Sequence, residues 1–315
     1  MTLHNSLIAK ISHDLCLKQD YISDIINNSN RYYKHYTIPK KNGSLRSIYQ
    51  ASPELKSLQY WITKNILIHL PVSQSGTFAY KIGDSIKKHA IHHKNSKFLF
   101  HTDIKSFFPS TKSSFLLEII KRNKHTLINN NLFFDDIDFV IKNVCFRYDK
   151  LTIGTVSSPY ISNIILYDFD EYMIKYTNDN DLIYSRYADD IYISSQKYLE
   201  KKVFTHVQQK LQEFNYDLNL NKTWFQSKKY CQKVTGIVLT TDGKISIGTN
   251  NKKELKKRIY KCLKKRDSNP QEILGYLAFL KDIEPLTYNK FISKYSSYCD
   301  GDIIEVIKNT NLKTY

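Results

Sequence analysis

Asp189 and Asp190 stand side by side between two runs rich in isoleucine and tyrosine, 182–187 and 191–195. Two carboxylates in a tight turn repel each other, and a bound cation relieves that repulsion. Carboxylate oxygens at a partly open site suit Mg2+, which keeps several waters and accepts further oxygens from substrate phosphates. A third carboxylate, Asp103, ends the apolar run that starts at Phe98. If the strand it ends neighbours the strand pair, three carboxylates can hold two ions. One then activates an attacking hydroxyl and the other stabilises the leaving oxygen of an in-line phosphoryl transfer. The bland alternative, a solvated Asp-Asp turn, stays open at this point, although apolar flanks on both sides weigh against it.

These residues need elements to hold them. Residues 98–103 read as a buried strand ending on a carboxylate, and 182–187 with 191–195 as two strands around the Asp pair. Upstream, residues 1 to about 30 read as helix, and 38–49 as two short strands around Lys41-Asn42-Gly43-Ser44. Between 55 and 70, Leu55, Leu58, Trp61, Ile62, Ile66 and Leu70 have the spacing of an amphipathic helix stopped by Pro71. Residues 111–150 are expected to be mainly helical, and Ser157-Ser158-Pro159 to open another helix. Runs 234–240 and 244–247 form a strand pair joined by Thr241-Asp242-Gly243. From 251 onward the chain reads as helical and basic. Strands and helices alternate without a strict βαβ rhythm, which predicts an α+β fold with helices on one face of an antiparallel sheet.

The whole chain, 315 residues with 41% hydrophobic content, is long enough for a sizeable core. Its 47 Lys and Arg against 30 Asp and Glu give a net charge of +17, which favours a polyanionic partner. Nucleic acid is the better reading than a membrane, since no apolar run approaches the roughly 20 residues of a spanning helix. No secretory signal is visible at the N-terminus. The cysteines at 16, 145, 231, 262 and 299 are scattered and odd in number, so buried inert thiols in a reducing cytoplasm are expected rather than disulfides or a zinc site.

Several segments, in order, resemble the bacterial retron-type reverse transcriptases. Tyr187-Ala188-Asp189-Asp190, preceded by Arg186, matches their Tyr-x-Asp-Asp motif. Phe100-His101-Thr102-Asp103-Ile104-Lys105-Ser106-Phe107-Phe108-Pro109-Ser110 is similar to their first catalytic motif. Residues 151–159 resemble the segment that lies between these two. Residues 45–49 and 55–59 resemble the fingers motif, Asn221-Lys222-Thr223 the lysine motif, and 89–93 and 234–236 two insertions typical of retron enzymes. The resemblance runs from about residue 31 to 290.

It implies an α+β right-hand polymerase: N-terminal helix and fingers over 1–97, palm over 98–235, and a helical, basic thumb over 236–315. It further implies Asp103, Asp189 and Asp190 as catalytic carboxylates holding two Mg2+ ions. Phe108 falls where the family places an aromatic gate against a 2′-hydroxyl. Lys41 and Arg46 would bind the incoming deoxynucleoside triphosphate, and Lys222 would neutralise or protonate the leaving pyrophosphate. The implied reaction is RNA-templated DNA synthesis. Its template and primer would come from one cognate structured noncoding RNA, its product would be a branched RNA–DNA hybrid (msDNA), and its setting would be anti-phage defence. Thr152-Ile153 departs from the family's usual Pro-Gln and puts nucleotide positioning in question.

Residues 251–268 carry nine Lys or Arg, of which Lys252, Lys253, Lys256, Lys257, Arg258, Lys261, Lys264 and Lys265 are candidates for phosphate contacts along a template–primer duplex. A solvated basic face is the ordinary alternative. His89, His92 and His93 have partial metal-site spacing, yet Lys87, Lys88 and Lys94 would repel a cation, so packing or RNA contact is expected. No ribonuclease H, maturase or endonuclease segment is evident. Two other readings compete: an abortive-infection reverse transcriptase making untemplated DNA, and an RNA-binding scaffold that assembles with a toxin or effector protein.

Overall fold

Some helices begin where a capping side chain or a proline is available. The computed structural model describes residues 6–40, 43–264, 269–299 and 301–309. Ser6 accepts the amide of Ala9 and opens α1 (Leu7–Leu15), which α2 (Gln19–Asn27) follows. β1 (Tyr33–Pro39) and β2 (Leu45–Ala51) pair antiparallel, with Tyr33 opposite Ala51 and Pro39 opposite Leu45. Ser52 caps α3 (Pro53–Asn65), whose first position suits a proline because no helical partner awaits that amide. The sequence pattern extends this helix to Leu70, but the α-helix ends at Asn65 and a single 3-10 turn, Leu67–His69, follows. Pro71 ends that turn: it disfavours helical geometry in the residue before it, and Leu70 is extended.

Next come α4 (Ile86–His93), β3 (Phe98–Asp103), α5 (Phe107–Ser110), α6 (Ser113–Arg122), α7 (Lys124–Asn129) and α8 (Ile137–Cys145). Then follow α9 (Ser157–Ile165), α10 (Tyr167–Asp179), β4 (Ile183–Tyr187), β5 (Asp190–Ser195), α11 (Lys202–Glu213) and β6 (Trp224–Ser227). The last part holds β7 (Lys233–Val234), β8 (Ile237–Leu239), β9 (Ile245–Ser246), α12 (Thr249–Leu263), α13 (Pro270–Ile283), α14 (Pro285–Ser296) and α15 (Ile303–Asn309). The chain is an α+β protein. None of its described helices is long and apolar enough to cross a membrane.

The chain divides into two units, one of Met1–Gly83, Phe100–Ile193 and Leu199–Trp224, the other of Asp84–Leu99, Ser194–Tyr198 and Phe225–Tyr315. In the first, α3 packs on α8 and α9 through Leu55, Leu58, Ile62, Val140, Val144, Ile161 and Ile164, all fully buried. Burial of each such side chain contributes about 1.5–3 kcal/mol. α10 packs on β4. The strand order of the main sheet is β4-β5-β3-β6. β3 runs antiparallel to β5, since Ile104 N donates to Asp189 O and Lys97 N to Ser195 O. β3 and β5 are buried at almost every position rather than at alternate ones, so both faces of the central strands are shielded.

In the second unit, the expected strand over 234–240 is two strands. Thr235 and Gly236 both take positive φ (45° and 85°), the geometry of a two-residue hairpin turn, and fold β8 back on β7. β9 completes a three-stranded sheet, and α4 lies against it. His89 and His93 of α4 are fully buried, within reach of Thr235 Oγ1 (3.3 Å) and Ser194 Oγ (2.7 Å). Burial, and then the neighbouring His89 and His92, hold His93 well below the usual histidine pKa. These are packed histidines. Leu255, Ile259 and Cys262 of α12 are buried, as are Ile273, Leu277 and Leu280 of α13.

Candidate active site

Asp103 is the last residue of β3, and Asp189 lies in the turn between β4 and β5, with Asp190 opening β5. The Ile104 amide donates to the Asp189 carbonyl at 2.9 Å, which registers the end of β3 beside that turn. Within the turn Ala188 holds φ +57°, a left-handed conformation that is costly for any residue but glycine. The sequence-predicted carboxylates are thus brought together. Their proximity has an electrostatic signature: burial, followed by the charges of Asp103 and Asp190, raises the pKa of Asp189 to about 6.

Each of the other two carboxylates already has a partner. Asp103, only 4% exposed, accepts Lys222 Nζ at 2.6 Å and Asn219 Nδ2 at 3.3 Å. Burial pulls the Lys222 pKa down. Its hydrogen bond to Asp103 and the charges of Asp103, Asp189 and Asp190 outweigh that and hold it above the ordinary lysine value. Asp190 faces His101 Nε2 at 2.8 Å. His101 Nδ1 lies 3.0 Å from the Lys222 carbonyl, which can only accept, so Nδ1 carries a proton. The ring is stacked on Trp224 and tilted against Tyr192. Among the described residues no three His, Cys, Asp or Glu side chains stand ready-made around a metal position.

Sequence reading assigned no role to His101 or Asn219. A signal did exist for His101: two positions before Asp103 on one strand, it shares that carboxylate's face. Phe108 lies on α5, half-buried, with its ring 5.5 Å from Phe107, which is itself packed on Tyr216. Arg46 is exposed on β2, opposite Ile38. Lys41 lies outside the described residues.

The 151–159 segment joins β2 through main-chain atoms. The Tyr49 amide donates to the Ile153 carbonyl at 2.8 Å. Gly154, at φ +108°, lies so close that a Cβ there would meet Tyr49 O and Ile48 Cγ2 at 2.9 Å. Buried Gln59 braces the same loop, accepting the Val156 amide and donating to Val144 O.

In the second unit the basic candidates fall into two groups. Lys253, Lys256, Lys257 and Lys261 are exposed on α12, as is Lys264 just past its end. Lys252 is instead bound to Glu284 at 2.5 Å, and Arg258 to Glu254 and Glu272. At the 3.6-residue period Lys252 and Arg258 flank the buried stripe of Leu255, Ile259 and Cys262, where acidic side chains of α13 and its end reach them. Lys253, Lys257, Lys261 and Lys264 lie opposite that stripe. Lys265 lies outside the described residues, as does Arg266.

The family described as reverse transcriptase (RNA-dependent DNA polymerase) matches residues 38–276. The chain is 30% identical over 281 residues to the retron Ec83 reverse transcriptase of Escherichia coli, covering 84% of this chain and 87% of that one. It is 30% identical over 274 residues to the retron Ec86 reverse transcriptase of the same organism, covering 84% and 80%. With the retron Mx162 reverse transcriptase of Myxococcus xanthus the identity is 23% over 292 residues, covering 84% and 60%.

Proposed function

The chain belongs to the reverse transcriptase family, as an RNA-directed DNA polymerase of the bacterial retron type, and on that footing we propose that it copies one cognate structured noncoding RNA into branched single-stranded DNA (msDNA). Anti-phage defence is the role we assign to that product. The observation that carries the chemistry is the meeting of Asp103 with the Ala188–Asp190 turn, marked by the raised pKa of Asp189. The observation that favours the retron substrate is similarity to retron enzymes over more than four-fifths of this chain.

The family works with divalent metal ions. The residues at this site fit such an ion: the donors are all carboxylate oxygens, and their mutual repulsion is what a hard cation relieves. Asp103, Asp189 and Asp190 would hold two Mg2+ ions, which supply activation of the primer hydroxyl and charge neutralisation at the leaving oxygen. The rest is the protein's own work. His101 orients Asp190 through one nitrogen while the other is pinned to the main chain. Lys222, with its ammonium stabilised by the carboxylates, carries a proton that it would give to the leaving pyrophosphate. Phe108 would lie beneath the sugar and exclude a 2′-hydroxyl. Arg46, with Lys41, would grip the triphosphate through its fork of donors. The exposed lysines of α12 would follow duplex phosphates.

Sequencing the nucleic acid that copurifies with the protein tests the proposal. One defined RNA covalently joined to a short DNA complementary to part of it is the expected result. DNA matching no bound RNA would favour untemplated synthesis, and RNA with no attached DNA would favour a scaffold.

A further inference from the structure

Arg186, in β4, is among the largest fully buried side chains of the described residues. Each of its three guanidinium nitrogens donates a hydrogen bond. Nε donates to Asp170 Oδ1 at 2.8 Å and Nη2 to Asp170 Oδ2 at 2.5 Å. Nη1 donates to the carbonyl of Ala188 at 2.9 Å. Asp170, on α10, is also fully buried, and its Oδ1 accepts the Tyr184 hydroxyl at 2.6 Å. The segment beside β4 closes over the pair: Arg186 N donates to Gly76 O, Phe78 N donates to Arg186 O, and a Cβ on Gly76 would stand 3.1 Å from Asp170 Cβ.

Burying two charges gains little stability over apolar packing of the same volume, so stability alone is a poor reason for this arrangement. The third bond of the guanidinium supplies a better one. It ends on the residue whose left-handed backbone immediately precedes Asp189. A planar guanidinium held by a two-oxygen clamp fixes the direction of its remaining donor, as a flexible ammonium would not.

We propose that Arg186, clamped by Asp170, is a positioning residue for polymerisation: it holds the Ala188 carbonyl, and through it the left-handed turn that sets the Asp189 carboxylate beside Asp103. The proposal rests on reading those carboxylates as the metal site.

Mn2+ binding, followed by electron paramagnetic resonance of the free ion, tests it on the whole chain, with kcat and KM for single-nucleotide insertion and thermal unfolding measured alongside. Arg186→Lys keeps the buried charge but loses the fork. It should weaken Mn2+ binding and lower kcat by about 10- to 100-fold, the usual loss when a group that orients a metal ligand is removed, with KM for the nucleotide little changed. Ala188→Gly in that background should recover most of both losses, because glycine adopts the left-handed turn without being held there. A merely structural Arg186 would not be rescued this way. Should Arg186→Lys fail to fold, Tyr184→Phe carries the same test: it takes one hydrogen bond from Asp170 and leaves the charges paired. Weaker Mn2+ binding at unchanged unfolding temperature, rescued by Ala188→Gly, supports the proposal. Mn2+ affinity and kcat that match the unsubstituted protein, or a loss that Ala188→Gly leaves in place, overturn it. Asp189→Asn separates the premises: if it too leaves Mn2+ binding intact, the reading of the carboxylates fails and not only the role of Arg186.

Discussion

Lys222 places its ammonium 2.6 Å from Asp103 Oδ1, so β3 ends on an ion pair. The charge of Lys222 opposes the mutual repulsion of three carboxylates, and replacing it exposes two effects at once. Lys222→Met should slow single-nucleotide insertion by about 100-fold or more if the lysine protonates the leaving pyrophosphate. It should also move the Asp189 pKa above its value of about 6, since Lys222 lowers it. Rapid-quench insertion kinetics check the first, and insertion at near-normal rate would remove Lys222 from the chemistry.

Asp189 also makes stability depend on pH, in a direction fixed by the sign of its shift. Its folded pKa, raised to about 6, lies above the ordinary 3.8. Above pH 6 the metal-free fold therefore bears an ionised Asp189 at a cost that the unfolded chain does not share. As pH falls through 6 the folded state takes up a proton and that cost disappears, until near 3.8 the unfolded chain protonates as well. Asp189→Asn should stabilise the metal-free protein by about 1–2 kcal/mol at pH 7, after discounting for partial exposure. The gain should vanish near pH 4. The same substitution should cost at least about 100-fold in polymerisation. Thermal unfolding at the two pH values, with chelator present, reads the first effect, and extension of a primed RNA template the second.

Phe108 offers a test of sugar choice. A steric gate works by bulk alone, so Phe108→Ala should admit ribonucleotides far better while deoxynucleotide insertion changes little. The comparison is of kcat/KM for a matched pair of ribo- and deoxynucleotides. An unchanged ratio would return Phe108 to the packing around Phe107.

The division of α12 into outward lysines and paired cations gives two opposite outcomes. Replacing Lys253, Lys257 and Lys264 together should flatten the plot of log affinity for template–primer against log salt by roughly 2–3 units, at 0.7–0.9 of a counterion per contact. Replacing Lys252 should leave that slope alone and lower the unfolding temperature, because its partner Glu284 also accepts the Ile247 amide and Ser246 hydroxyl. Fluorescence anisotropy across a salt series distinguishes them. A slope unchanged in the triple variant would mean that this face of α12 only meets water.

What the sequence made legible was local. The strand ending on Asp103, the turn at Asp189-Asp190 and the capped helices follow from short-range periodicity and turn chemistry. The hydrogen bonds that complete the site join residues far apart in the chain: 89 positions separate His101 from Asp190, and 116 separate Asp103 from Asn219. No pattern of spacing carries such a pairing. Arg186 was visible only as the residue before a motif, since its partner Asp170 lies on a helix that any periodic reading would give a solvated acidic turn. The hairpin at Thr235-Gly236 was missed for another reason: a run of β-branched residues hides a turn unless positive φ is anticipated at a threonine.

The join between β2 and the 151–159 loop is made by backbone atoms, and this sets what genetic drift can do there. The Tyr49 amide bonds to the carbonyl of Ile153 and ignores its side chain, whereas Gly154 has no room for one. Position 153 is therefore free to exchange the family's usual glutamine for isoleucine without unfastening the loop, while its neighbour is not free to exchange anything. Two adjacent codons thus live under different rules, one open to trial and the other closed, because the attachment belongs to the main chain.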